Sequence, residues 1–249
     1  MRGPGLRRLK SALRTLLYYG RGRLCPVCGE WSRSFHEFGI VPRKDARCGR
    51  CGALERHRLL WLFVQHKTDL FDGRTKTMLH VAPERCLQSR FSGRLGDMYL
   101  TADLSNPGAM VKMDITDIRY PDGSFEVIYC SHVLEHVPDD RRAMSELHRV
   151  LKEDGWAIIL VPITAERTYE DPSVVDPDDR LRVFGQRDHV RRYGSDYVDR
   201  LRDAGFNVEV AKPLDLVEAR WAKLMGLTEH SGEIHYCTKA GPTRPEASQ

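Results

Sequence analysis

No run of eighteen or more apolar residues occurs in the 249-residue chain, which excludes an ordinary transmembrane helix. The N-terminal LRRLKSALRTLLYYGRGR lacks both the continuous apolar centre and the small-residue cleavage site of a secretory leader. No internal repeat is present. Glycine is missing from MLHVAPERC, residues 78 to 86. An α/β nucleotide-binding domain of this length would place its first strand and a glycine-rich turn there.

The net charge is small, +4, but it is unevenly spread. Residues 1 to 66 hold 14 Lys and Arg against 4 Asp and Glu, a balance of +10 that leaves −6 for the remainder. The basic end favours anionic partners and the body does not. Leu6, Leu9, Leu13, Leu16 and Leu17 recur at helical spacing among arginines. Residues 1 to 23 are therefore expected to form a basic amphipathic helix, docked on its own protein or solvated. A peripheral membrane or nucleic-acid contact is the other reading.

Seven cysteines without an export signal suggest a reducing, cytoplasmic setting. Cys25 and Cys28 form one C-x-x-C, Cys48 and Cys51 a second, with nineteen residues between them. This is the spacing of a zinc ribbon, expected over residues 24 to 53. Four thiolates close a tetrahedron, so the expected zinc is structural. His36 and His57 are spare beside a complete set.

A helix is expected from Ala53 to about Leu70. Strands are then expected at 77 to 82, 97 to 102, 109 to 113, 125 to 130, 156 to 162, 206 to 211 and 233 to 239, with helices at 139 to 152 and 194 to 204. Such alternation indicates an α/β, doubly wound, mostly parallel sheet over residues 54 to 240, with an antiparallel member late in the chain. Residues 163 to 194 interrupt the alternation without clear periodicity, as acceptor-binding loops do. A disordered tail is expected over 241 to 249.

Acids stand at two strand ends, Asp103 in YLTADL and Asp114 in KMDITDI. A carboxylate there can accept both hydroxyls of a ribose, which suits Asp103; Asp114 suits the adenine edge of the same nucleotide. Taken singly, either is more often a cap or a solvated turn residue. HVLEH, residues 132 to 136, spells an inverted zinc-protease motif, but a protease needs it inside a helix, and here it follows an apolar strand and meets Pro138.

From about residue 75 to 240 the chain resembles the class I S-adenosylmethionine-dependent methyltransferases, in particular the methyltransferase type 11 group. The likeness is carried by Asp103, by Asp114 with Ile115, by PDGSFEVIYCSHVLEHV (121 to 137), and by ELHRVLKEDGWAIILVP (146 to 162). It implies a Rossmann-like seven-stranded sheet and S-adenosylmethionine as cofactor. The family's first motif, D-x-G-x-G, is altered here: His80 takes the acid's place, Ala82 the first glycine's and Glu84 the next, with Pro83 fixing the exit from the strand. Glu84 then becomes the candidate partner of the methionine ammonium. Ser131 and His132 fall beside the reactive sulfonium.

The resulting expectations are His80, Ala82, Pro83, Glu84, Asp103, Asp114, Ile115 and Ser131 at the cofactor, and His132, His136 or His189 as base. Either of the first two histidines is equally a helix cap. Tyr169, Gln186, Arg191 and Tyr193 are expected at the acceptor. Arg187, Arg191 and Arg192 around His189 suit an anionic acceptor or are solvated charges ahead of a helix. The expected function is methyl transfer to a small-molecule or glycan-type acceptor. The alternatives are an RNA acceptor, as in ribosomal RNA guanine methyltransferases with an N-terminal zinc module, and a scaffold that has lost its cofactor.

Overall fold

The computed structural model describes residues 20 to 239. The expected N-terminal helix and C-terminal tail lie outside the described residues. By packing, the chain divides into two compact units. The described part of the first is residues 20–72, 84–90 and 212–233; that of the second is 73–83, 91–211 and 234–239.

In the first unit β1 (Arg23–Cys25) pairs antiparallel with β2 (Glu30–Ser32), and β3 (His36–Phe38) with β4 (Arg43–Arg47). The following α1 (Glu55–Lys67) buries Leu59 to Val64 without a gap. Arg58, fully buried within it, donates to the carbonyls of Ala46 (2.8 Å), Ala53 (3.0 Å) and Gly226 (2.9 Å) and lies 4.2 Å from the centre of the Phe35 ring. A buried guanidinium is tolerated only with its donors satisfied, so this one residue ties three segments of the unit together. The short helices α6 (Pro213–Leu216) and α7 (Ala219–Leu224) belong to the same unit.

The second unit is built on a seven-stranded sheet. Its strands are β5 (Met78–Val81), β6 (Tyr99–Asp103), β7 (Val111–Lys112), β8 (Phe125–Ser131), β9 (Leu151–Leu160), β12 (Asn207–Ala211) and β13 (Ile234–Thr238), in the order β12-β13-β9-β8-β5-β6-β7. β13 runs antiparallel to both its neighbours and the other pairings are parallel. All seven strands fall where apolar runs predict them. Central strands of a parallel sheet are covered on both faces, which is why MLHV and VIYCS read as continuous apolar runs.

The first strand of the sheet in sequence, β5, sits between β6 and β8, so the strand order reverses there. Ligands in such sheets bind at the carboxyl ends beside the reversal. Register sets those ends level: Val81 pairs with Ala102 on one side and with Cys130 on the other, and Ser131 pairs with Leu160.

Helix α2 (Arg85–Leu95) follows β5, and α3 (Asp140–Val150) leads into β9. Asp139 caps α3 by accepting from the Arg142 amide at 2.9 Å, and Ala143, Met144, Leu147 and Val150 form its buried stripe. The strand after it begins at Leu151 rather than 156, because Leu151 already pairs with Phe125. Gly155 permits this: a Cβ there would lie 2.7 Å from the Glu126 carbonyl oxygen.

Residues 163 to 194 are more ordered than their sequence suggests. β10 (Tyr169–Glu170) pairs with β11 (Arg191–Arg192), and α4 (Pro177–Phe184) lies between them. Asp176 caps α4, Pro177 opens it and Gly185, left-handed at φ 89°, closes it. Helix α5 (Tyr197–Asp203) returns the chain to β12.

Candidate functional site

Cys25, Cys28, Cys48 and Cys51 converge in the first unit. Cys25 Sγ stands 3.7 Å from Cys51 Sγ, and Cys28 Sγ 3.9 Å from Cys48 Sγ. A Zn–S bond of about 2.3 Å in a tetrahedron sets sulfurs about 3.8 Å apart, so these separations fit a metal. The backbone makes the same turn twice: Gly29 N–H donates to Cys25 O (2.8 Å) and Gly52 N–H to Cys48 O (2.9 Å), both glycines having positive φ. Burial holds the Arg58 guanidinium below its ordinary pKa, while Cys25, Glu55, Cys48 and Cys51 act in the opposite sense. His57 is not a fifth candidate, because its Nδ1 accepts from the Leu54 amide (3.0 Å) at the head of α1.

Glu84 lies beside His57, with its Oε1 3.4 Å from His57 Nε2. Cys86 Sγ also approaches His57 Nδ1, at 3.3 Å. Burial pushes that thiol up to about 12, so it stays protonated and is no nucleophile. The structure thus engages the Glu84 carboxylate with a histidine of its own unit instead of leaving it free for an ammonium group.

At the carboxyl edge of the sheet, His80 departs from the cofactor role expected of it. It is fully buried, its Nδ1 lies 2.6 Å from the Tyr99 hydroxyl, and it packs against the rings of Phe91 and Tyr129. Leu79 and Val81 face one core layer and His80 points to the other, because alternate residues of a strand face opposite ways. Ala82 takes up φ +50°, the left-handed conformation for which glycine is usual, and its amide donates to Ala102 O at 2.8 Å. Pro83 follows it.

Asp103 ends β6. Its Oδ1 accepts from the amides of Ser105 (2.8 Å) and Asn106 (2.7 Å), which fixes the side chain while none of these bonds uses Oδ2. Asp114 accepts from the Thr116 amide and hydroxyl, both at 2.8 Å, and Ile115 beside it is buried. Ser131, the last residue of β8, is buried with its Oγ lacking any hydrogen-bond partner. An unpaired buried hydroxyl at a strand end is the kind of group a ligand satisfies.

Four ionisable side chains follow Ser131. His132 has φ +55°, and its Nδ1 is 3.3 Å from Glu135 Oε1. Glu135 is buried and its Oε2 has no partner. His136 directs Nδ1 at Asp188, 3.3 Å from both the carboxylate and the backbone oxygen, and meets the His189 ring edge-on at 4.7 Å. His189 is buried with Nε2 unpartnered, and burial holds its imidazole below the ordinary pKa. Sequence reasoning named the three histidines and missed Glu135, although the E-H pair within HVLEH was its visible signal.

The segment 163 to 194 corrects two further expectations. Arg191, expected at the acceptor, is buried: its Nη1 donates to Leu134 O (2.7 Å), its Nη2 to Pro138 O (2.8 Å) and its Nε to Glu170 (2.9 Å). Tyr193 is equally buried, its hydroxyl donating to Asp140 at 2.7 Å. Arg200 completes the network, bonded to Asp140 (2.9 Å) and Glu170 (2.8 Å). Burial alone would raise the Glu170 carboxyl, but the hydrogen bonds from Arg200 and Arg191 bring it below the ordinary value. These groups fix the segment in place; they are not free to grip a substrate. Tyr169 and Gln186 remain exposed, Arg187 pairs with Asp178, and Arg192 donates to the Thr164 carbonyl.

The strand order and the groups gathered at its reversal define a class I methyltransferase fold. A family described as a methyltransferase domain matches residues 94 to 159, a stretch that starts after the altered loop and takes in Asp103, Asp114, Ser131 and the HVLEH cluster. Over 74 residues the chain is 38% identical to the uncharacterized methyltransferase YcgJ of Bacillus subtilis, covering 30% of this chain and 28% of that one. It is 26% identical over 136 residues to 27-O-demethylrifamycin SV methyltransferase of Amycolatopsis mediterranei, covering 52% and 47%. A solved S-adenosylmethionine-dependent methyltransferase from Mesorhizobium loti is similar with a TM-score of 0.49 and 15% identity, over 72% of this chain and 97% of that one. The chain spans between about a quarter and a half of the length of these curated relatives.

Proposed function

We propose that the protein transfers a methyl group from S-adenosylmethionine to a small-molecule or glycan-type acceptor, and that its four-cysteine set holds a structural zinc ion. The observation that carries the first part is the row of groups at the carboxyl ends of β5, β6 and β8: Ala82, Asp103 with Oδ2 unused, and the unpartnered Ser131. Asp103 would take the ribose hydroxyls, Asp114 and Ile115 the adenine, and Ser131 the methionine end. The cofactor supplies an electrophilic methyl group on sulfur, whose transfer asks chiefly for alignment. His132 suits the role of base: Glu135 holds its Nδ1, which leaves Nε2 to take a proton from an acceptor that must lose one.

A small acceptor is favoured by the acidic balance of residues 67 to 249 and by the segment 163 to 194, in which Arg187, Arg191 and Arg192 are engaged by Asp178, Glu170 and the Thr164 carbonyl. Incubation with methyl-labelled S-adenosylmethionine and a fractionated cell extract tests this. Label in the small-molecule or glycan fraction is expected. Label confined to RNA contradicts the acceptor, and label nowhere contradicts the activity.

A further inference from the structure

Glu135, His136 and His189 each offer a ligand atom, and these atoms lie within 4.8 Å of one another. Two of the three come from the turn after β8 and the third from the far end of the 163 to 194 segment, where Val190 N–H bonds Glu135 O at 2.9 Å. Their free valences point to one task. Glu135 has one oxygen on His132 and the other, Oε2, buried without a partner. His136 faces Asp188 through Nδ1, the outer contact that commonly orients a metal-binding imidazole and frees its second nitrogen. His189 keeps a buried, unpartnered Nε2. Two buried polar atoms without partners, next to a third donor already oriented, are costly unless something joins them.

We infer that Glu135, His136 and His189 bind a divalent transition-metal ion, distinct from any ion on the four cysteines. Two imidazoles and one carboxylate suit zinc, manganese or iron, and three protein ligands leave coordination open. The ion would lie next to His132, so that, on the methyltransferase reading, its open position meets an oxygen of the acceptor. A hydroxyl bound there loses its proton more readily. That proton passes to His132; the oxygen then bonds to the methyl carbon as the carbon–sulfur bond breaks and its electron pair stays on sulfur. The acceptor class this selects is a hydroxylated compound.

The test measures zinc in the full-length protein after equilibration with Zn2+ and removal of loosely held ions, alongside Glu135→Gln and His136→Asn. The wild type is expected to hold one more ion per chain than either variant, whatever the cysteines hold. Equal contents in all three overturn the site. His136 is a third exposed, so His136→Asn keeps its fold and the comparison does not depend on Glu135→Gln folding. Calorimetry with S-adenosylmethionine runs separately: no cofactor binding together with the extra ion overturns methyl transfer and leaves the metal site standing.

Discussion

At Ala82 the backbone sits at φ +50°, where an L-residue is strained and glycine is not. The loop without glycine has therefore kept a glycine's conformation using the smallest side chain. Ala82→Gly should raise stability by about 0.5 kcal/mol, the relief of ~1 kcal/mol of left-handed strain being partly offset by chain entropy. Ala82→Val should lower it by more than that, and thermal unfolding of both variants checks the pair. Of the residues singled out in the sequence, Asp103 and Ser131 were legible as strand ends and His132 as the residue after one, because that position is one pattern alone reveals. His80, Arg191 and Tyr193 were not, since residue type does not tell which way a side chain faces. A histidine after an apolar run looks available; only the opposing Tyr99 hydroxyl shows that it is spoken for.

Among the elements, α3 joins the sheet to the loop that precedes β8. Arg149 donates to the carbonyls of Ile118 (2.7 Å) and Tyr120 (2.9 Å) and to Glu146, while Glu146 accepts from the Ile118 amide at 2.8 Å. The hydrogen bonds from Arg149 hold the Glu146 carboxyl below its ordinary 4.5. A depressed carboxyl contributes stability that is present above the unfolded value and lost as pH falls through the folded one. Glu146→Gln should cost about 1–2 kcal/mol at pH 7, and its stability should fall less steeply than the wild type's below pH 4.5, as denaturant titrations across that range would show. In the 163 to 194 segment, Arg191→Met should destabilise by about 3–5 kcal/mol, because Glu170 and Asp140 lose a buried partner. Chemical unfolding measures this, and an Arg191→Met protein as stable as the wild type would return that arginine to the acceptor surface. The segment was read as irregular because its helix is only eight residues long, too short to show a period. Asp176, Pro177 and Gly185 were its legible marks, a cap, a first-turn proline and a left-handed close.

For the molecule as a whole, charge and metal chemistry separate the alternatives. The basic excess lies in residues 1 to 66, so an RNA acceptor would show salt-sensitive binding that disappears with their removal. Stripping metal with a chelator should expose the amides of residues 24 to 53 to hydrogen exchange while the seven-stranded sheet stays protected. The strands and the mostly parallel sheet were legible in the alternation of strand and helix patterns, whereas the order of the strands was not. Neither was which segments pack with the cysteine set, since Arg58 and Gly226 meet across 168 residues of sequence. The most direct test of a cofactor site at the strand reversal is calorimetry with S-adenosylhomocysteine on zinc-replete wild type and on Asp103→Ala. One site per chain in the wild type, weakened about tenfold or more when the carboxylate is lost, is the predicted result. No binding heat, or equal affinity in the two proteins, would contradict it.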